Sequence, residues 1–169
     1  MNKLKIAVIG TGLVGSFHAE TFFRNPNSEL VAVCDTDKEK VNSVASKFNC
    51  KAYEKFEQLI NSETLDAISI ATPEQIRIEP AVLSIEKGLK ILLEKPLGRN
   101  LEQIKSLVDK IKDHNKIISV NFILHEDPRY KLMKEKVKNN EIGNIVSCFA
   151  RRRGNRFGIE IYAPWTDLL

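Results

Sequence analysis

Short apolar runs recur along the chain at residues 4–9, 30–34, 67–71, 91–93 and 117–120, and most are separated by stretches with a helical period. The runs are continuous. Ile6-Ala7-Val8-Ile9 contains no polar position, whereas a strand with one wet face alternates apolar and polar residues. Continuous runs arise where helices cover both faces of a parallel sheet. Strands of this kind alternating with helices predict an α/β protein built on a doubly wound parallel sheet. Helix signals agree: Asp35 or Asp37 precedes a helix over 38–48, Pro80 opens one through Lys87 with Gly88 as its stop, and Asn100 precedes one over 101–114.

Beyond Asn121 the pattern changes. A linker over 125–128 leads to an amphipathic helix over 129–138, a turn through Asn139, Asn140 and Gly143, and a period-two strand from Ile145. The chain therefore divides into a domain over 1–121 and the start of an α+β domain over 122–169. One helix and one strand do not bury their own apolar faces, so this second domain is expected to be cut short.

Composition narrows the function classes. With 169 residues, 43% of them hydrophobic, the chain has room for one whole domain and part of another. Its net charge of +4 on 28% charged residues is too balanced for a dedicated nucleic-acid binder. Arg151, Arg152, Arg153 and Arg156 fall on a strand pattern whose alternate residues face opposite ways, so they are expected to form a solvated sheet edge. No apolar run approaches the ~18 residues of a membrane span, and the N-terminus lacks the apolar core of a signal peptide. A cytoplasmic protein without membrane contact is expected. Cys34, Cys50 and Cys148 lie too far apart for a disulfide framework or a zinc site, so they are expected to be reduced packing residues, and no metal is expected. His18, His114 and His125 are read as surface or internally satisfied residues.

The strongest motif is Gly10-Thr11-Gly12-Leu13-Val14-Gly15, which lies between the first strand and a helical pattern. In a G-x-G-x-x-G loop of this kind the first glycine makes a tight turn, the second lets backbone approach a pyrophosphate, and the third allows close helix packing. The free N–H groups at the helix start, here from Leu13 onward, face the anion. Asp35 ends the second strand 25 residues after Gly10, placed to hold ribose hydroxyls. This predicts a Rossmann-type fold that binds NAD, while Lys38 leaves NADP open. Thr72-Pro73 and Glu94-Lys95 follow two further strands and fall on the same carboxyl rim, where a reacting substrate would lie. A lysine there can hold a substrate oxygen and exchange a proton with it.

The order of Gly10-x-Gly12-x-x-Gly15, Cys34-Asp35, Ala71-Thr72-Pro73, Glu94-Lys95-Pro96-Leu97, Asp127-Pro128-x-Tyr130 and Glu141-Ile142-Gly143 resembles the Gfo/Idh/MocA family of oxidoreductases over nearly the whole chain. The resemblance implies an NAD(P)-dependent dehydrogenase acting on a sugar, inositol or related polyol. Lys95 stands at the family's active-site lysine, and Gly10, Thr11, Gly12, Leu13, Val14, Gly15, Asp35, Thr72, Pro73, Glu94 and Lys95 stand at cofactor-binding positions. A homo-oligomer through the C-terminal segment is also expected. Three departures qualify the likeness. Glu74 and Arg77 occupy positions where the family typically has Asn and His, Ile123-Leu124-His125 replaces a polar run, and the family's C-terminal histidine motif has no counterpart before Leu169. A dinucleotide-binding module or redox sensor without turnover, made by truncation, is the alternative.

Overall fold

The continuous apolar runs pair with one another as parallel strands. In the computed structural model, which describes residues 2–114 and 118–151, β1 (Leu4–Ile9), β2 (Ser28–Cys34), β3 (Lys51–Tyr53), β4 (Ala67–Ile70), β5 (Lys90–Leu93) and β6 (Ile118–Val120) form one sheet. Its order is β3-β2-β1-β4-β5-β6, and every neighbouring pair is parallel. The order reverses between β1 and β4, which opens a switch point at the carboxyl ends of those strands.

The crossovers are α1 (Leu13–Arg24), α2 (Lys38–Phe48), α3 (Phe56–Ser62), α4 (Ile78–Glu86) and α5 (Leu101–His114). Because successive strand residues point to opposite faces, two cores result. Val8, Leu30 and Val33 pack with Ala19 of α1 and with Val41, Ala45 and Phe48 of α2. Ala7, Ile9, Ile68, Ile70 and Leu93 pack with Leu59, Ala81, Ile85 and Leu107 from α3, α4 and α5. A register slip in the β1–β2 pairing, where Ile6 pairs Leu30 but Ala7 pairs Ala32, keeps Leu30 and Val33 on one face.

The start signals also resolve. Asp37 is the α2 cap, accepting from Lys40 N at 3.1 Å, which leaves Asp35 to another task. Asn100 accepts from Gln103 N at 3.0 Å ahead of α5, and Gly88 follows α4 with a positive φ of 77°. Two elements go beyond the sequence pattern. β3 has three residues, one of them Lys51, and α3 has seven, so neither is long enough to display a period.

Residues 1–121 and 122–169 form two units. In the second, α6 (Ile123–Glu126) occupies part of the expected linker, and α7 (Pro128–Lys138) starts with Pro128 in its first turn and Asp127 accepting from Arg129 N at 2.9 Å. The strand expected from Ile145 is absent: described residues 145–151 have no regular structure. A strand exists only through ladder hydrogen bonds to another, and no described segment of this unit offers them. Cys148, expected to pack, is exposed in this segment. Arg151 is exposed too, while Arg152, Arg153, Arg156, Ile117 and the His114 side chain lie outside the described residues. No helix among the described residues is long and apolar enough to cross a membrane, and no described cluster of His, Cys, Asp and Glu could hold a metal ion.

Candidate active site

The sheet register brings the candidate residues to one edge. Five of the six strands are followed by a residue that donates its N–H to the last carbonyl of a neighbour: Gly10 to Cys34 and Ala71 to Ile9 at 2.8 Å, Glu94 to Ile70 at 3.0 Å, and Asn121 to Leu93 at 2.7 Å. Asp35 does the same to Tyr53 at 3.1 Å. The ladder therefore ends level on all six strands, and the side chains that follow share the rim beside the switch point.

The glycine loop is shaped by close backbone approach. Gly10 has φ 90°, and a Cβ there would sit 2.8 Å from the Ala71 carbonyl group; a Cβ on Gly15 would lie 1.7 Å from Gly10 O. Neither contact can relax without moving backbone. Gly12 differs, since a Cβ there meets nothing within 4 Å. It faces open space at the start of α1, where the first N–H groups have no intrahelical carbonyl. Leu13 is exposed and Val14 half-buried beside it. Thr11 is buried and turned to Asp35, whose Oδ2 accepts from Thr11 N at 2.6 Å and Thr11 Oγ1 at 3.0 Å. Asp35 Oδ1 accepts from Asp37 N at 3.0 Å. These three bonds fix the carboxylate and leave acceptor capacity on Oδ1. Cys34, one residue earlier, is a packed thiol: burial, then the charges of Asp35 and Glu57, push it up to about 12.

The rim clusters after β4 and β5 are tied together from within. Arg77, buried at 4% exposure, donates Nη1 to Glu94 O at 2.7 Å and to Pro96 O, and Nη2 to Thr72 O. Burial pushes the guanidinium down, against the opposing pull of Glu94 and Glu74. Glu94, expected among the cofactor residues, turns its carboxylate inward. Oε1 meets Asn121 Nδ2 at 2.5 Å and His18 Nε2 at 3.2 Å, and Oε2 accepts from Lys95 N at 3.1 Å. Burial alone would raise this carboxyl, but the bonds from His18, Asn121 and the Lys95 N–H hold it below the ordinary carboxylate range. His18 Nδ1 in turn lies 2.8 Å from the Ser69 hydroxyl, so His18 is internally satisfied. The Lys95–Pro96 peptide is cis, and the Lys95 side chain is exposed, its ammonium without an ion-pair or hydrogen-bond partner among the described residues.

Two features of the rim fit a dinucleotide. The Thr72 hydroxyl is buried and has no hydrogen-bond partner among the described residues, an arrangement that costs about 1–3 kcal/mol unless a bound group satisfies it. Gly12, in contrast to its two partner glycines, leaves its face clear.

The family model described as an oxidoreductase family with an NAD-binding Rossmann fold matches residues 4–122. The chain belongs to the Gfo/Idh/MocA family. Among its relatives, inositol 2-dehydrogenase of Rubrobacter xylanophilus is 33% identical over 85% of this chain and 42% of the relative. The NAD(+)-dependent scyllo-inositol 2-dehydrogenase of Bacillus subtilis is 30% identical over 90% of the chain and 46% of the relative. The crystal structure of myo-inositol 2-dehydrogenase from Lactobacillus plantarum superposes with a TM-score of 0.81 at 29% identity, covering 86% of this chain and 44% of that one. The chain thus spans less than half the length of these Gfo/Idh/MocA relatives.

Sequence reasoning located the family's loop and both rim motifs but missed the residues behind them. Ser69 and Asn121 carried no motif of their own; His18 was read as a surface or internally satisfied residue without its partners, and Arg77 only as a departure from the resemblance.

Proposed function

We propose that residues 1–121 form the cofactor domain, and residues 122–169 the beginning of the substrate domain, of an NAD-dependent dehydrogenase acting on a polyol or sugar. The observation carrying this reading is the Lys95 ammonium, without a partner among the described residues, on the same rim as the open face of Gly12 and the Thr72 hydroxyl that no described residue satisfies. Gly12 with the start of α1 would take the pyrophosphate, Asp35 a ribose hydroxyl, and Thr72 and Pro73 the edge toward the nicotinamide. NAD, when bound, supplies a hydride acceptor. Lys95 holds the alcohol oxygen and takes part in moving its proton, interactions that strengthen as charge develops on that oxygen. NAD is favoured over NADP because Asp35 repels a 2′-phosphate, and because Lys38 faces Glu54 at 3.7 Å. The Thr11 bonds to Asp35 make its replacement a structural change as well, so Gly12 is the cleaner probe. The inositol dehydrogenase names of the relatives support the polyol class. The free thiols of Cys34 and Cys50 suit a reducing cytoplasm, and exposed Ile142, Ile145 and Val146 suit self-association of the second unit.

The test uses the full-length polypeptide that carries this sequence, with calorimetry for NAD binding and NADH formation across a panel of polyols. Gly12→Val is expected to abolish NAD binding with the fold retained, since the added side chain enters open space. Lys95→Met is expected to lower kcat by about 10²- to 10⁴-fold with cofactor affinity retained. A binding-only module predicts NAD binding without turnover. Normal NAD binding by the Gly12 variant, or full activity without Lys95, defeats the reading.

A further inference from the structure

The carbonyl oxygens of the two residues next to Lys95, Glu94 and Pro96, are held by a single side chain from another loop. The Glu94 and Pro96 carbonyls both accept from Arg77 Nη1, while Nη2 of the same guanidinium reaches back to the Thr72 carbonyl. We propose that Arg77 is a positioning residue for Lys95, a clamp that locks the loop after β5 to the loop after β4 and so sets where the lysine stands on the rim. This rests on the dehydrogenase reading above.

The geometry limits what else the residue does. Arg77 is buried, so its charge is not offered to solvent or to an anionic ligand. Its bonded partners are backbone carbonyls, two of them on the residues before and after Lys95. The Glu94 carbonyl lies in the peptide that enters Lys95 and the Pro96 carbonyl in the peptide that leaves Pro96, so the two bonds bracket the Lys95–Pro96 segment and limit where the Lys95 Cα and its side chain stand. The Glu94 carboxylate adds a third hold by accepting from Lys95 N at 3.1 Å, itself anchored by His18 and Asn121. The exposed ammonium has no partner of its own among the described residues, so its position depends on the backbone beneath it. A planar guanidinium with five donors can span three carbonyls. An imidazole has at most two N–H groups, and a lysine ammonium on a flexible stem does not match the fork.

The experiment compares the full-length protein with Arg77→Met, Arg77→Lys and Arg77→His. In the cofactor-free state, amide hydrogen exchange over residues 94–97 is expected to quicken at least tenfold in Arg77→Met, with exchange in β1, β2 and α2 unchanged. In turnover, kcat is expected to fall about 10- to 100-fold, as a displacement of about 1 Å in a reacting group can produce, while substrate KM and NAD affinity stay within about twofold. Arg77→Lys and Arg77→His, each retaining donors, are expected to fall between wild type and Arg77→Met. Should Arg77→Met not fold, the same ordering is read from the other two. Unchanged exchange over 94–97 overturns the clamp, as does a kcat within twofold of wild type. A parallel loss of NAD affinity in all variants also overturns it, by making Arg77 a cofactor-site residue. Localised quickening in a full-length protein without any NAD-linked turnover upholds the clamp and defeats the dehydrogenase reading.

Discussion

The two units put the same kinds of side chain to opposite fates. In residues 1–121, Val8 and Val33 are wholly buried; in the second unit Val146 is 96% and Phe149 89% exposed, and no residue described between 122 and 151 is buried. Hydropathy does not separate them, since 145–149 contains Ile145, Val146 and Phe149 and has a strand-like pattern. What separates them is pairing. Each described strand of the first unit pairs with at least one neighbour, and pairing holds its apolar side chains against helices. An apolar run becomes core only when its backbone has somewhere to bond.

The sharpest way to break this contrast is at glycine. Gly15→Val would place a Cβ 1.7 Å from Gly10 O, backbone against backbone, and is expected to cost the first unit about 3 kcal/mol or more and to collapse its thermal transition. In the second unit a Cβ at Gly143 meets nothing within 4 Å, and only its φ of 70° resists a side chain. Gly143→Ala is therefore expected to leave the first unit's melting unchanged. Equal effects of the two substitutions would erase the distinction.

Truncating apolar side chains is the next test. Leu59→Ala empties a fully buried position packed between the sheet and α4, with an expected loss of about 2–5 kcal/mol by urea unfolding. Val146→Ala removes an exposed side chain and is expected to change stability by less than about 0.5 kcal/mol. A Val146→Ala loss comparable to that of Leu59→Ala would show that the second unit has a core of its own.

The smallest effect is confined to acid. The Glu94 carboxyl is held below its ordinary range in the folded state, so it contributes stability above its unfolded value near ~4.3, and that contribution is lost as pH falls through the lowered folded value. Urea unfolding between pH 6 and pH 3 is expected to show an acid decline that Glu94→Gln flattens. An unaltered acid limb in that variant would mean the network with His18 and Asn121 adds nothing to folding.

Much of the fold was legible along the chain because its signals are local. A strand buried on both faces needs an unbroken apolar run, a helix needs a cap such as Asp37 or Asn100, and a turn with positive φ needs Gly10 or Gly88. The sequence by itself thus determined the α/β order, the glycine loop, Asp35 at the end of β2, and the rim placement of Thr72 and Lys95. Tertiary structure alone decided the bonds that cross the chain. Asn121 meets a carboxylate 27 residues away, His18 meets Ser69 51 residues away, and Arg77 reaches carbonyls 17 and 19 residues ahead. It also turned Glu94 inward, created β3 as a three-residue edge, and left 145–151 without a strand. The physical reason is common to all of these: periodicity and capping are read from neighbours in sequence, whereas a buried polar group or a strand is defined by the partner that folding brings to it.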